Sequence, residues 1–433
     1  GHGSFFYKFR SGTGDVLFGP MHERMKAAGV KFRFFREVLE LVPSGSSGGD
    51  NSIGEVRVRR QATVRKGDDG YEPLLATPAG SKDGIGLRGV WPQTPDWSQL
   101  EEGEELRKRG TNLESFYDPW PGVADEVYRH GIDYDDLVLA IPAGAHAVVA
   151  AKLALYSPAW SDHLDTLETV ATCAVQLWLN RTTYDLGFES DPSATRQNGK
   201  GSPALTNETT LTGLNLAADK MLNTWSDMTH LLRDEEWPSR RVGGAPRALA
   251  YFCGPFPGSV DLNRSNHTVD TRATARVKEV AHQTFDPESG IAQWLWPSLY
   301  ADPKSRGVWP ALYDPLSTAA SPQEGLKRFD SQYWRANVGP SERYVLSPPG
   351  SIEKRIDARK AVPGITNLYV AGDWVLNGVN SGCAESAVTG GMLAARAVSG
   401  QLAEGGPHGP QVRPRNSTYT SYFDLFGPPM TSK

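Results

Sequence analysis

The hydrophobic pattern is most distinctive near the end of the chain, where a short apolar stretch runs into Gly372-Asp373. Residues 368–371 are apolar without alternation, which predicts a strand of a parallel sheet that is covered on both faces. The segment 383–398 carries Ala, Gly, Ser or Thr at most positions and predicts a helix with a thin side-chain coat. The free N–H groups of its first turn would point toward the loop that joins strand and helix.

Alternating and amphipathic patterns predict the elements of the first sixty residues. Residues 15–28 predict an amphipathic helix that ends at Gly29. Alternation over 30–34 and over 53–59 predicts two half-buried strands, and 37–42 predicts another between them. We therefore expect a β-meander in this part of the chain.

Further apolar runs predict the elements of the middle of the chain. Residues 137–141 are continuously apolar, as in a strand buried on both faces, and 175–179 predict a strand of a second sheet. Residues 270–285 predict an exposed helix with mixed charges. Strands and helices mixed in this way indicate the α/β (α+β) fold class.

Composition and charge narrow the class of protein. The chain has 433 residues, of which 39% are hydrophobic and 22% charged, so we expect two or three domains with sizeable cores. The net charge of −5 offers no reason to expect a nucleic-acid partner. Because no apolar run approaches the roughly 20 residues that a membrane helix needs, we expect no membrane span.

The cysteines and histidines give no metal-binding pattern. Cys173, Cys253 and Cys383 are widely spaced, which indicates neither a disulfide framework nor a metal centre and suits a reducing cytoplasm. The nine histidines are scattered, so no metal site is predicted. We expect a cytoplasmic protein.

Candidate chemistry concentrates at the end of the 368–371 strand. Gly372 allows the backbone to approach a ligand closely, and Asp373 would lie at the carboxyl edge of the sheet, where open α/β sheets bind ligands. Its carboxylate could accept hydrogen bonds from ribityl hydroxyls, and a helix that begins after Ser381-Gly382 would place N–H donors beside a flavin. The alternative is an Ala/Gly-rich packing helix preceded by a solvated aspartate.

The segment 367–391 resembles the C-terminal FAD motif of the flavin amine oxidase and phytoene desaturase superfamily. The order Gly-Asp, then Gly, Asn and Gly, then Glu-x-Ala with small residues after it is most similar to the desaturase-like branch. Segments 332–346 and 225–230 also resemble bacterial FAD-dependent oxidoreductases of that branch, so the resemblance covers most of the chain.

The resemblance implies a discontinuous FAD-binding Rossmann-like domain with a β-meander and a substrate domain of mixed sheet and helices. The incomplete FAD-binding domain would comprise residues 1–60, 131–150 and 340–400. The substrate domain would comprise 61–130 and 151–339, with 401–433 as a surface tail.

The resemblance also implies which residues contact the cofactor. The expected FAD-binding residues are Val38, Gly372, Asp373, Ser381, Gly382, Cys383 and Ala384. The backbone of Val38 would meet the adenine; the alternative is that Val38 is a core residue of its strand. Trp374 would either line the substrate cavity or pack the loop, and Cys383 would lie near the flavin or act as a small hydrophobic side chain.

The glycine-rich half of such a fold is not recognisable in the sequence. Gly12-Thr-Gly14 does not follow an apolar strand, and Gly243-Gly-Ala-Pro also lacks the context of a phosphate-binding turn. We therefore expect a second polypeptide, produced by proteolytic processing of a longer precursor or by a separate gene, to supply the first strand, the phosphate-binding turn and the acidic residue that holds the ribose.

The reaction implied by the resemblance is hydride transfer from a substrate C–H to flavin N5, in amine or amino-acid oxidation or in desaturation. Amine oxidases of the superfamily often have an aromatic residue at the position of Cys383, so this departure argues against a two-aromatic cage. No general base can be identified, and the catalytic residues and the small-molecule substrate stay unknown. The competing hypothesis is a non-catalytic flavoprotein-like subunit that serves assembly or binding.

Overall fold

The computed structural model describes most of the chain between residues 8 and 400. The described residues are 8–9, 11–45, 51–76, 89–188, 210–211, 221–235, 237, 244–286, 295–300, 309–315 and 326–400. The surface tail predicted over 401–433 lies outside the described residues, and so does Gly243, the first residue of the Gly243-Gly-Ala-Pro segment.

Strands and helices alternate irregularly in an α+β arrangement. The strands are β1 (Arg36–Pro43), β2 (Ile53–Arg60), β3 (Leu75–Ala76), β4 (Gly89–Val90), β5 (Ala124–Arg129), β6 (Leu137–Leu139), β7 (Thr169–Leu179), β8 (Thr210–Leu211), β9 (Thr224–Asp227), β10 (Ala248–Phe256), β11 (Tyr333–Asn337), β12 (Tyr344–Val345) and β13 (Leu368–Val370). The helices are α1 (Gly19–Ala27), α2 (Gly103–Arg109), α3 (His146–Val149), α4 (Pro158–Thr166), α5 (Val269–Thr284), α6 (Leu326–Asp330) and α7 (Ala384–Val398).

The antiparallel sheet near the start of the chain has the order β1-β2-β5. The third strand of this sheet is β5, from residues 124–129. Residues 30–34 form no strand, so the prediction of a strand there was wrong. Phe32 and Phe34 instead pack around His22, at ring-centroid distances of 4.5 and 5.9 Å. The alternation of 30–34 therefore reports aromatic packing, since no strand among the described residues pairs with this segment.

A two-stranded parallel sheet joins distant parts of the chain. β13 pairs with β6, with Leu368 opposite Leu137 and Val370 opposite Leu139. Leu368 and Val370 are buried, as the sequence predicted, but Val138 is 43% exposed. One face of this parallel sheet is therefore incompletely covered by the described residues, although parallel sheets are normally covered on both faces.

The largest sheet is antiparallel, with the order β11-β7-β10-β9-β8 and with β12 paired to β7. One face of it packs on α5, whose buried side chains Ala273, Val277 and Ala281 recur every four residues. The helix was predicted almost to the residue, but its small apolar stripe is buried in the core and only its remaining face is exposed.

The second core lies around the parallel sheet and contains Trp160, Trp374 and Ile356 together with β6 and β13. The helix predicted over 15–28 is present as α1 with a preceding π-helical turn (Gly14–Phe18), and Gly29 follows with φ of 90°. Within the described part of the chain, no helix combines the length and apolar character needed to cross a membrane.

Candidate functional site

The candidate site begins where β13 ends. The backbone N–H of Ala371 donates to the Leu139 carbonyl at 3.0 Å, and Gly372 then turns the chain with φ of 133°. An added Cβ at Gly372 would lie 2.6 Å from Nε1 of Trp374. Because only glycine adopts this φ without strain and leaves room for the indole, the position of Asp373 depends on Gly372.

Asp373 presents a half-buried carboxyl group at the carboxyl edge of the parallel sheet. Burial raises the pKa of this carboxyl, partly offset by its own backbone N–H and by the positive charge of Arg355. Among the described residues, no side chain donates a hydrogen bond to the carboxylate oxygens. Apart from the bond with its own backbone N–H, the acceptor capacity of the carboxylate is therefore left to a ligand or to water.

The backbone of Asp373 is held from two sides. Nη1 of Arg355 donates to the Asp373 carbonyl at 2.8 Å, and the Ser386 hydroxyl donates to the same oxygen at 3.4 Å. Nη2 of Arg355 also donates to Oγ of Ser347 at 2.7 Å. Arg355 is only 4% exposed, and burial lowers its pKa. This buried cation ties the Asp373 loop to the segment that follows β12.

Two asparagines shape the loop between β13 and α7. Oδ1 of Asn377 accepts from the N–H groups of Val379 and Asn380, both at 3.0 Å, and Asn380 has φ of 53°. Nδ2 of Asn377 donates to the carbonyl of Ser386 at 2.6 Å and to its hydroxyl at 2.9 Å. The loop is therefore fastened to the first turn of α7.

The first turn of α7 keeps its donors available. Cys383 is the N-cap residue, and no side chain in the described part of the chain caps the helix. Gly390 lies against the end of β13, since an added Cβ there would be 2.6 Å from the Gly372 carbonyl oxygen. The small side chains predicted for this helix thus allow a close helix–strand approach, while the uncapped N–H groups suit an acceptor-rich ligand.

The remaining residues predicted around the helix start differ in exposure. Ser381 and Ala384 are exposed, whereas Gly382 and Cys383 are half-buried. The Tyr344 hydroxyl donates to the Gly382 carbonyl, and an added Cβ at Gly382 would lie 2.6 Å from the tyrosine ring. Gly382 therefore accommodates a tyrosine ring that bulk at this position would displace.

Trp374 lies in the core and is 1% exposed. Its Nε1 donates to the Ile141 carbonyl at 3.1 Å, and its ring meets that of His146 edge-on, with centroids 4.3 Å apart. Of the two roles considered for Trp374, this position favours packing the loop over lining a cavity.

Two buried histidines, His146 and His163, pack against the ring of Trp374. Nδ1 of His146 is 3.0 Å from Nε2 of His163, and Nε2 of His146 is 3.3 Å from the Ile141 carbonyl. Because a carbonyl only accepts, His146 donates through Nε2 and accepts from His163. Burial lowers the pKa of His146 to about 3 and that of His163 to about 4, so both rings are neutral. Among the described residues, Nδ1 of His163 has no hydrogen-bond partner.

Val38 lines a cavity of about 490 Å³. The strand β1 is the edge of its sheet, and its pairing with β2 shifts between Val38 and Glu40, which leaves Leu39 in a bulge. Bulges and edge strands expose backbone N–H and C=O groups, which can pair with the edge of a planar heterocycle. Val38 is half-buried, so it both packs and borders the cavity.

Charged side chains border the same cavity on the β1 side. Arg264 forms a two-pronged ion pair with Glu37, and Arg36 donates to Glu126 at 2.9 Å. These pairs leave the rim of the cavity polar and nearly charge-balanced, while Ile141, Pro142 and residues of α3 supply its apolar wall.

The cavity and the Asp373 loop lie at the same edge of the parallel sheet. Ile141 and Pro142, which follow β6, line the cavity, and the Ile141 carbonyl binds Trp374, the residue after Asp373. The structure thus brings Val38 and the Gly372-Asp373 turn to neighbouring places, but the residues 381–384 do not line this cavity.

Several residues that hold the site were missed in the sequence. Arg355 and Tyr344 act across more than fifteen residues of chain, so no local pattern marks them. Asn377, in contrast, stands inside the conspicuous Asn-Gly-Val-Asn loop, and an Asx-turn reading of that loop would have identified it.

The residues fit a flavin better than a metal ion. A half-buried carboxylate without a side-chain donor, an uncapped helix start and a tight glycine turn suit hydroxyl, carbonyl and phosphate groups. In the described residues, no group of three or more His, Cys, Asp or Glu side chains is placed to hold a metal ion.

No protein-family model matches the chain, and no curated protein matches it.

Proposed function

We propose that the chain is the flavin-holding part of an FAD-dependent oxidoreductase with a discontinuous Rossmann-like domain. The observation that carries this proposal is the half-buried Asp373 carboxylate beside the uncapped first turn of α7, at the carboxyl edge of two parallel strands. Ligands of open α/β sheets bind at this edge. The resemblance of 367–391 to a flavoprotein motif supports the same assignment.

Each part of the site has a role in this proposal. The Asp373 carboxylate accepts hydrogen bonds from ribityl hydroxyls, and the first turn of α7, from Cys383 and Ala384 on, donates to the pyrimidine side of the flavin. The edge of β1 at Val38 receives the adenine. Arg355 and Ser386 keep Asp373 in place through its carbonyl. FAD, when bound, supplies the hydride-accepting chemistry.

The proposal requires a phosphate-binding unit that the described residues do not contain. Val138 on β6 is exposed, and the parallel sheet has only two strands among the described residues. We propose that a strand with a glycine-rich turn and a ribose-binding acidic residue joins this sheet and that a second polypeptide carries it. A strand added to the sheet would be followed by a helix that covers Val138.

The substrate class follows from the reaction type. Hydride removal from a C–H bond serves amine or amino-acid oxidation and desaturation, and half-buried Cys383 in place of an aromatic residue disfavours a two-aromatic amine cage. We propose a small-molecule substrate and no nucleic-acid partner. The cysteines Cys173, Cys253 and Cys383 are all free, which supports a cytoplasmic location.

Absorbance spectroscopy of the purified particle, together with intact-mass spectrometry, tests the proposal. We expect flavin bands in the visible blue, the mass of FAD, and a second chain in the same particle. Steady-state peroxide production with amines or amino acids then separates an oxidase from a desaturase. A complete particle that neither retains nor takes up FAD would instead support a non-catalytic assembly subunit. A flavin-loaded monomer of this chain alone would contradict the second polypeptide.

A further inference from the structure

A second cavity, of about 280 Å³, lies away from the Asp373 loop, between β7 and α5. Its inner wall is apolar and buried, formed by side chains that include Ala171, Ala273 and Val338. Tyr117 is 2% exposed and closes one side. The cavity thus has an apolar interior in which a charged group is unexpected.

Arg343 nevertheless lines this cavity and is 9% exposed. Its Nε donates to Oγ1 of Thr169 and its Nη2 donates to the Thr169 carbonyl, both at 3.0 Å. Both acceptors are neutral. The adjacent acid, Glu342, is paired with Arg335 instead. In the described part of the chain, Arg343 has no carboxylate partner, and burial lowers its pKa.

A buried guanidinium without a counter-charge is costly, because desolvation of the ion is not compensated. Arginine carries five N–H donors, of which two are used on Thr169. The donors on Nη1 have no acceptor among the described residues, and Nη1 is not among the buried atoms without partners. Nη1 is therefore accessible, and the free side of the guanidinium can receive an anion.

Two further charged residues, Arg272 and Asp261, line the cavity. Arg272 on α5 is exposed and lines the rim. The Asp261 carboxylate accepts from the Asn263 N–H at 2.8 Å and from Nδ2 of Asn266 at 2.7 Å, and these bonds, together with the positive charge of Arg272, lower its pKa. The Asp261 carboxylate is thus hydrogen-bonded within its own loop, while the Asp261 carbonyl accepts from the Tyr117 hydroxyl at 2.7 Å.

We propose that this cavity binds a small organic carboxylate, with its apolar body against Ala171, Ala273 and Val338 and its carboxylate on Arg343. The volume lies just below the range of about 300–1,000 Å³ that drug-sized ligands occupy, so a ligand of the size of benzoate is appropriate. The planar guanidinium matches a planar carboxylate in two-pronged geometry. None of the residues that line this cavity belongs to the proposed flavin site.

Calorimetric titration of the full chain, in its purified assembly, with sodium benzoate tests this site. We expect saturable binding that Arg343→Gln weakens at least tenfold and Arg272→Gln weakens a few-fold, since Arg272 lies at the exposed rim. Arg276→Gln, one turn further along α5 and exposed, is the matched control and leaves binding unchanged. Benzyl alcohol, which lacks the charge, binds at least tenfold more weakly than benzoate.

A second variant, which leaves the guanidinium of Arg343 intact, keeps the test valid if Arg343→Gln does not fold. Ser259 is exposed at the rim, so Ser259→Trp obstructs the entrance without touching Arg343, and we expect it to abolish benzoate binding at an unchanged melting temperature. The proposal is overturned if benzoate does not bind, if folded Ser259→Trp binds it as the parent does, or if inorganic phosphate binds as tightly as benzoate.

Discussion

The guanidinium of Arg355 donates a 2.8 Å hydrogen bond to the backbone carbonyl of Asp373, 18 residues further along the chain. A buried arginine therefore fixes the residue whose carboxylate we propose holds the ribityl chain. Because this bond uses the main chain of Asp373, it leaves the carboxylate oxygens unused by Arg355.

Replacement of Arg355 by Gln should destabilise the protein and weaken its binding of flavin. The shorter neutral side chain cannot reach the Asp373 carbonyl, the Leu346 carbonyl and Ser347 Oγ together. We expect a loss of about 2–4 kcal/mol in the free energy of unfolding, since a buried hydrogen-bond network is broken. Urea denaturation and flavin absorbance after dialysis measure the two effects.

The matched control is Arg359→Gln. Arg359 pairs with Asp357 in an exposed position, so its loss should cost no more than about 1 kcal/mol and leave flavin retention unchanged. Equal effects of the two substitutions would show that Arg355 does not position the loop.

Asp373→Asn should separate stability from cofactor binding. Because burial raises the pKa of Asp373, the ionised carboxylate disfavours the folded state above its unfolded pKa, and the stability that protonation gives is lost as the pH rises through the folded pKa. At pH 7 the cofactor-free Asn variant should therefore be as stable as the parent or more so, while its FAD affinity falls at least tenfold.

Thermal melting and equilibrium dialysis with FAD test this separation. Asp136→Asn, an exposed position just before β6, should change neither property. Undiminished FAD affinity in Asp373→Asn would remove the carboxylate from the proposed site.

Two adjacent glycines of α7 should respond to alanine in opposite directions. A Cβ at Gly390 would lie 2.6 Å from the Gly372 carbonyl oxygen and 2.9 Å from Cγ2 of Val375, whereas a Cβ at Gly391 meets nothing within 4 Å. Gly390→Ala should thus lose about 1–3 kcal/mol through overpacking, and Gly391→Ala should gain up to about 1 kcal/mol from helix propensity. Chemical denaturation of the two variants measures these changes. Equal changes in the free energy of unfolding would contradict the close packing of Gly390 against the end of β13.

The His146–His163 pair should contribute to acid sensitivity. Both folded-state pKa values, about 3 and about 4, lie below the unfolded value near 6.5, so the unfolded chain binds more protons between these limits. The contribution of the pair to the free energy of unfolding is then fully present above pH 6.5 and is lost as the pH falls toward 4. The loss is on the order of 1 kcal/mol or more for each histidine.

His163→Gln should reduce this loss, because the amide does not titrate and can still donate to His146. The measurement is the urea midpoint at pH 7.5 and at pH 5 for parent and variant. His130→Gln, at an exposed histidine, should retain the full acid sensitivity of the parent. A parent-like pH dependence in His163→Gln would contradict neutral burial of the pair.

Strand β13 and helix α7 could be predicted because their signals are local. The apolar run 368–371 and the small residues of 383–398 report burial and close packing directly, and both elements form within one or two residues of the predicted bounds. The alternation over 30–34 misled because a strand needs a partner. The partner position beside β2 is taken by β5, which lies far along the chain.

The linear pattern of residues was thus sufficient for the mixed α+β class, for β13, α5 and α7, and for the glycine turn at Gly372 that ends β13. The tertiary structure alone decided that Arg355 holds Asp373, that Val38 borders a cavity beside a bulge, that Trp374 is buried on two neutral histidines, and that Arg343 faces an apolar cavity. These relationships join residues far apart in the chain. They depend on which strands pair and which charges are desolvated, and no short-range pattern encodes either.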